Sequence, residues 1–152
     1  MVKHVLHVCC RKPGFPLSAV TPLRLLSLKS ANRDLYNKIL TLEDNLAKLE
    51  GGSSWPQHLE TVVQPILDLD LEDVDEAEVK RIVGILLTNS FETASGGQQM
   101  TSSGTIGLFP GPSLMNHDCV ANTRVVLGGD KMRVIAAVGI RKGAAILNNY
   151  AR

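Results

Sequence analysis

The stretch Ser113-Leu114-Met115-Asn116-His117-Asp118-Cys119-Val120-Ala121-Asn122 places a hydroxyl, two carboxamides, an imidazole, a carboxylate and a thiol in near succession. Carboxamides both donate and accept hydrogen bonds, so such a segment can hold a polar ligand by side chain and backbone together. Taken alone, the signal is modest. An Asn-His dipeptide usually marks a turn, and a single cysteine such as Cys119 usually behaves as a small buried apolar residue. Downstream, Tyr150 adds a phenol. A phenol with an ordinary pKa of about 10 is a poor general base at neutral pH, so its natural work is to orient and to stabilise charge.

Two other clusters hold reactive types. His4, His7, Cys9 and Cys10 are the right ligand types for zinc. Adjacent cysteines rarely both ligate one tetrahedral ion, and no Cys-x2-Cys partner follows, so no metal site is expected and the segment reads as a poorly ordered terminus. Asp68, Asp70, Glu72, Asp73, Asp75, Glu76 and Glu78 form an acidic run. It reads as a solvated loop entering a helix, with attraction of a basic, lysine-bearing tail as its functional alternative.

The elements that must position these groups change in texture near Phe91, from helical periodicity to Gly-, Ser- and Val-rich sequence. Thr21-Pro22 offers an N-cap and an N1 proline ahead of Leu23, Leu25, Leu26 and Leu28. Leu35, Ile39, Leu42, Leu46 and Leu49 recur at spacings of three and four until Gly51-Gly52. Thr41 is placed to cap a new helix toward Asp44, so that stretch reads as a kinked helix or a helix pair. Residues 56–67 carry Leu59, Val62, Val63, Ile66 and Leu67 on a broad face, with Pro65 expected to kink or end the helix. Trp55 is expected to pack among these helices. The strongest helix runs from Asp75 as N-cap to about Ser90. Residues 93–105 are too polar and glycine-rich to nucleate structure and read as a mobile loop. Residues 123–127 and 131–138 form a β-hairpin around Gly128-Gly129-Asp130, and Arg141-Lys142-Gly143 turns into a last strand over 145–149.

At 152 residues with 44% hydrophobic and 20% charged residues, the chain is one domain's worth and can bury about two-thirds of its unfolded surface. A net charge of +1 implies no bulk attraction to nucleic acid or membrane. Apolar stretches such as residues 82–87 fall far short of the ~20 residues of a membrane span. Three cysteines, with no small-residue cleavage site after the first residues, fit a reducing compartment, cytoplasmic and/or nuclear.

Gly107-Leu108-Phe109-Pro110, Asn116-His117-Asp118-Cys119, the hairpin, Lys142-Gly143 and Tyr150 occur in an order that resembles SET-domain proteins. The closest likeness is to the SMYD group, with arthropod SMYD-like proteins as the subgroup. Its members carry a helical insert closed by a phrase like Thr88-Asn89-Ser90-Phe91. The resemblance implies an α+β fold: an irregular segment 1–16, a helical insert 17–91, a flexible loop 92–105 and the C-terminal part of a SET domain, 106–152, with short curled strands. It implies a protein-lysine methyltransferase using S-adenosyl-L-methionine. Asn116 and His117 then match cofactor residues, Ser113, Met115 and Asn89 fall where that pocket is lined, and Tyr150 matches the active-site tyrosine. The partner implied is a lysine-containing protein, histone or non-histone.

Departures from the family pattern are Ala121 in place of a proline and Ala144-Ala145 in place of an acidic pair. The family's zinc finger, its glycine-rich cofactor turn and its Cys-rich closing segment are also missing from the 152 residues. The expectation is a partial cofactor pocket. The alternative to an enzyme is a non-catalytic interaction module or a truncated fragment.

Overall fold

The computed structural model describes residues 14–93, 105–128 and 131–150. Its architecture is α+β, and the chain divides after Asn89 into two compact units. The cluster of His4, His7, Cys9 and Cys10 lies outside the described residues. So do residues 94–104, the centre of the expected loop.

The first unit is helical. A 3-10 turn, Leu17–Ala19, leads into α1, Val20–Ala31. Because that turn already aligns the backbone, the N-cap is Ala19, and Thr21 sits inside the first turn where capping had been expected of it. Pro22 still falls among the first residues, whose N–H groups have no helical partner in any case. Asn32 ends α1 and begins α2, Arg33–Ile39: its N–H donates to the Leu28 carbonyl while its side chain accepts from the amide of Leu35. The leucine repeat therefore resolves as separate helices. Thr41 does not cap forward; its hydroxyl donates back to the Lys38 carbonyl and closes α2. Asn45, in the left-handed region at φ 51°, begins the single turn α3, Leu46–Leu49.

Next, α4, Trp55–His58, passes through a π-turn, Leu59–Val63, into α5, Gln64–Leu67. Pro65 does not end the helix, which runs on to Leu67 with the π-turn as its irregularity just before the proline. It has no N–H to offer the turn before it, and the hydroxyl of Ser18 donates to the Thr61 carbonyl at 3.1 Å instead. Trp55, Val62, Val63 and Ile66 are buried, as their spacing implied.

The longest helix, α6, Glu76–Asn89, starts as expected: the Asp75 carboxylate accepts from the amide of Glu78 at 2.8 Å. Its Val79, Ile82 and Ile85 are wholly buried, Leu23, Leu26, Ile39 and Leu42 of the same unit are nearly so, and the helix packs against α1. At about 25 cal/mol per Å² of apolar surface, each such side chain contributes roughly 1.5–3 kcal/mol. No helix among the described residues is long and apolar enough to cross a membrane.

The second unit is built from short strands. β1, Ser90–Thr93, pairs antiparallel with β2, Thr105–Leu108, so Thr93 and Thr105, read from sequence as loop, oppose each other in a ladder. β3, Asn116–His117, pairs parallel with β6, Leu147–Asn148. β4, Thr123–Gly128, and β5, Lys131–Ala136, form the expected hairpin. Its second strand ends at Ala136, two residues short of expectation, although the amide of Ala137 still bonds the Asn122 carbonyl at 2.8 Å in register with the ladder. Met115 is the buried apolar side chain of this unit among its described residues, whereas Ile106, Leu114, Val120 and Ile146 are exposed.

Candidate functional site

The site forms where β6 comes back beside β3. Asn116 opposes Leu147 and His117 opposes Asn148, and the amide of Asp118 continues the ladder to the Asn148 carbonyl at 3.0 Å. A two-residue parallel pair is weak by itself, so side chains must hold it. Asn122 does most of that. Its amide donates to the Ala145 carbonyl at 2.8 Å, and its carbonyl oxygen accepts from the amide of Leu147 at 2.8 Å. The buried hydroxyl of Thr123 adds a bond to the Leu147 carbonyl at 2.6 Å. Upstream, Gly143 has φ +85° while the amide of Ala144 bonds the Arg141 carbonyl. That is a type II turn, which needs the left-handed conformation glycine adopts freely.

This arrangement carries Tyr150 to the Asn-His segment. Its amide donates to Nδ1 of His117 at 3.0 Å, its hydroxyl donates to the carbonyl of Met115, and the two rings lie 5.2 Å apart at 48°. Because Nδ1 accepts, the neutral imidazole carries its proton on Nε2, which faces Sγ of Cys119 at 3.5 Å. Cys119 is exposed rather than buried, a correction to its reading as a small apolar core residue. The Asp118 carboxylate closes a local turn by accepting from the amide of Val120 at 2.7 Å.

The residues singled out from sequence thus fall into two groups. Met115, Asn116, His117 and Tyr150 come together. Asn116 is exposed, and its carboxamide has no hydrogen-bond partner among the described residues. Ser113 lies one turn earlier, its hydroxyl donating to the Phe109 carbonyl at 2.9 Å. Asn89 belongs to the helical unit. There its amide donates to the carbonyls of Glu43 at 2.7 Å and Ile85 at 2.8 Å, holding the loop before α3 against the end of α6. Asn122 stands in the segment singled out from sequence but is given no role of its own there. The available signal was a carboxamide just before a β-branched strand, a position suited to bonding neighbouring backbone.

Several carboxylates of the acidic run do structural work. Beyond the cap at Asp75, Glu76 pairs with Lys80 at 2.6 Å and raises that ammonium's pKa. Glu78 is part-buried rather than solvated, accepting from the Tyr36 hydroxyl and from Lys29 at 3.0 Å. No group of three or more metal-ligating side chains occurs among the described residues.

The chain is similar to a Drosophila melanogaster protein described as "SET domain-containing protein SmydA-8, isoform A". The two are 39% identical over 75 residues, which make up 47% of this chain and 16% of the fly protein. No family model matches the chain, and no solved structure matches it. The similarity supports a relationship to SET domain-containing, Smyd-type proteins over about half of the chain.

Proposed function

We propose that this chain is part of a SMYD-like protein-lysine methyltransferase that uses S-adenosyl-L-methionine, with Asn116, His117 and Tyr150 at its site. The observation that carries the reading is the double attachment of Tyr150, by amide to His117 and by hydroxyl to Met115. It joins the two parts of the sequence that resemble a SET active site. In this reading a bound cofactor would supply an electrophilic sulfonium methyl, whose carbon an uncharged lysine amine would attack in line, the C–N bond forming as the C–S bond breaks, the neutral thioether leaving and the proton passing to water. The chain's own groups bind and orient. Asn116 offers an unengaged donor and acceptor for the amino-acid end, which carries both a carboxylate and an ammonium. Met115 and Ser113 shape the wall beside it, and Asn89 would act from the helical unit by holding backbone in place. The Tyr150 hydroxyl donates its hydrogen bond to the Met115 carbonyl, so its oxygen keeps lone pairs with which to orient the methyl and the amine.

The partner is then a lysine-containing protein, histone or non-histone, met in the cytoplasm or nucleus. A second reading, a module that binds without turnover, draws on the 58% exposure of Tyr150. Methyl transfer favours a site from which water is excluded. Calorimetry with S-adenosylmethionine on the chain and on Tyr150→Phe separates the two. Micromolar binding with lysine methylation lost in Tyr150→Phe is the result expected for the enzyme. Partner binding that survives with no methylation in either protein supports the module, and absence of cofactor binding in both would remove the enzymatic reading.

A further inference from the structure

The helical unit holds a cleft of about 260 Å³ between α1, the start of α2 and the loop that leads to α6. Its floor is apolar, made by the buried Leu23 and Leu26, and the half-buried Leu71 and Val74 form its far wall. The volume is below the 300–1,000 Å³ of small-molecule sites and suits one or two aliphatic side chains instead. Its rim is charged. Glu72 and Asp73 are exposed and make no ion pair among the described residues. Lys29, also at the rim, is offset by Glu78 at 3.0 Å and donates as well to the Asp73 carbonyl. Arg33 is left as the uncompensated cation of the cleft among the described residues, against the two free carboxylates of Glu72 and Asp73.

The geometry points to this cleft as a docking site for a short segment of a partner protein that carries an aliphatic residue followed by lysine or arginine. The aliphatic side chain fills the apolar floor. The basic residue lies over Glu72 and Asp73, its stem covering Val74 while its head stays in water. An acidic segment would set like charges against both carboxylates, and a purely apolar ligand would leave the rim unused. The inference stands on the helical unit alone and holds whether or not the chain transfers methyl groups.

Methyl NMR of the full chain, titrated with a synthetic peptide carrying leucine followed by lysines, tests it directly. The methyl signals of Leu26, Leu71 and Val74 are expected to shift together and to saturate. Affinity should fall about fivefold between low and physiological ionic strength, the behaviour of exposed charge pairs. Glu72→Lys, an exposed change that leaves the core untouched, should weaken binding about fivefold, and Arg33→Gln should strengthen it. Equal binding of the matching leucine–glutamate peptide would overturn the proposal. So would shifts scattered outside the cleft, or no saturation at millimolar peptide.

Discussion

The amide of Tyr150 and Nδ1 of His117 are 3.0 Å apart and hydrogen-bonded. One bond therefore sets two things: the position of the tyrosine and the tautomer of the histidine. The same ring ties a thiol, Cys119, to the segment that ends the described chain.

Replacing His117 by alanine should free that amide. A single net hydrogen bond is worth about 1 kcal/mol, close to a factor of five in a local opening equilibrium. Hydrogen exchange at Tyr150 is expected to quicken about fivefold in His117→Ala and much less in His117→Asn, whose carboxamide oxygen falls near the place of Nδ1. Identical exchange in both variants and the parent would show that the bond does not hold Tyr150.

Asn122 anchors β6 from both sides of its carboxamide. Asn122→Asp keeps the acceptor for Leu147 but sets a carboxylate against the Ala145 carbonyl. Asn122→Ala loses both bonds. We expect exchange protection at Leu147 to fall in both variants, further in Asn122→Ala, at a cost of about 1–2 kcal/mol for the larger change. The helical unit, which Asn122 does not touch in any of these bonds, should keep its protection, and the two sets of amides can be read in one spectrum.

Tyr36 is 3% exposed and donates to the Glu78 carboxylate. Burial first, then that hydrogen bond and the charge of Glu78, push its phenol well above the usual value, with Arg81 and Arg33 opposing. A raised pKa in the folded state means the stabilisation is complete below about pH 10, where the unfolded phenol is still protonated, and is lost as pH rises beyond it. Unfolding free energy should therefore drop by about 1.4 kcal/mol per pH unit more steeply in the parent than in Tyr36→Phe over that alkaline range. At neutral pH, Glu78→Ala should cost about 1–3 kcal/mol by leaving Lys29 and Tyr36 without their shared acceptor. Urea titrations across pH check both; parallel alkaline limbs would contradict the first.

What could be read from the sequence was what depends on near neighbours. The Asp75 cap needs only a carboxylate three residues before the amide it accepts from, and the hairpin needs two β-branched runs around a glycine turn. Thr21 and Thr41 were misjudged because each had a competing local bond or turn: a 3-10 lead-in displaced one cap, and a bond back to Lys38 took the other hydroxyl. The passage of Pro65 through a helix depended on Ser18, 43 residues from Thr61, and no local pattern signals that. The approach of Tyr150 to His117 spans 33 residues. It entered the reading through family resemblance, and the structure supplies the bonds that make it.

Gly84 gives the sharpest test of the packing in the helical unit. By propensity alone, alanine in the middle of α6 should stabilise the helix by about 1 kcal/mol. A Cβ at Gly84, however, would lie 2.5 Å from the backbone carbonyl oxygen of Asp44 and 3.1 Å from a methyl of Leu46. The carbonyl cannot easily withdraw. Arg81 holds the neighbouring Leu40 carbonyl at 2.8 Å, Asn89 holds that of Glu43 at 2.7 Å, and Thr88 reaches the Asp44 carbonyl itself. Overpacking of this kind typically costs about 1–3 kcal/mol. Gly84→Ala is therefore expected to lower the urea midpoint despite its better helix propensity. Gly139→Ala, where a Cβ meets nothing within 4 Å, should leave it unchanged. A Gly84→Ala protein as stable as the parent would mean that the loop from Leu40 to Leu46 is free to move away from α6.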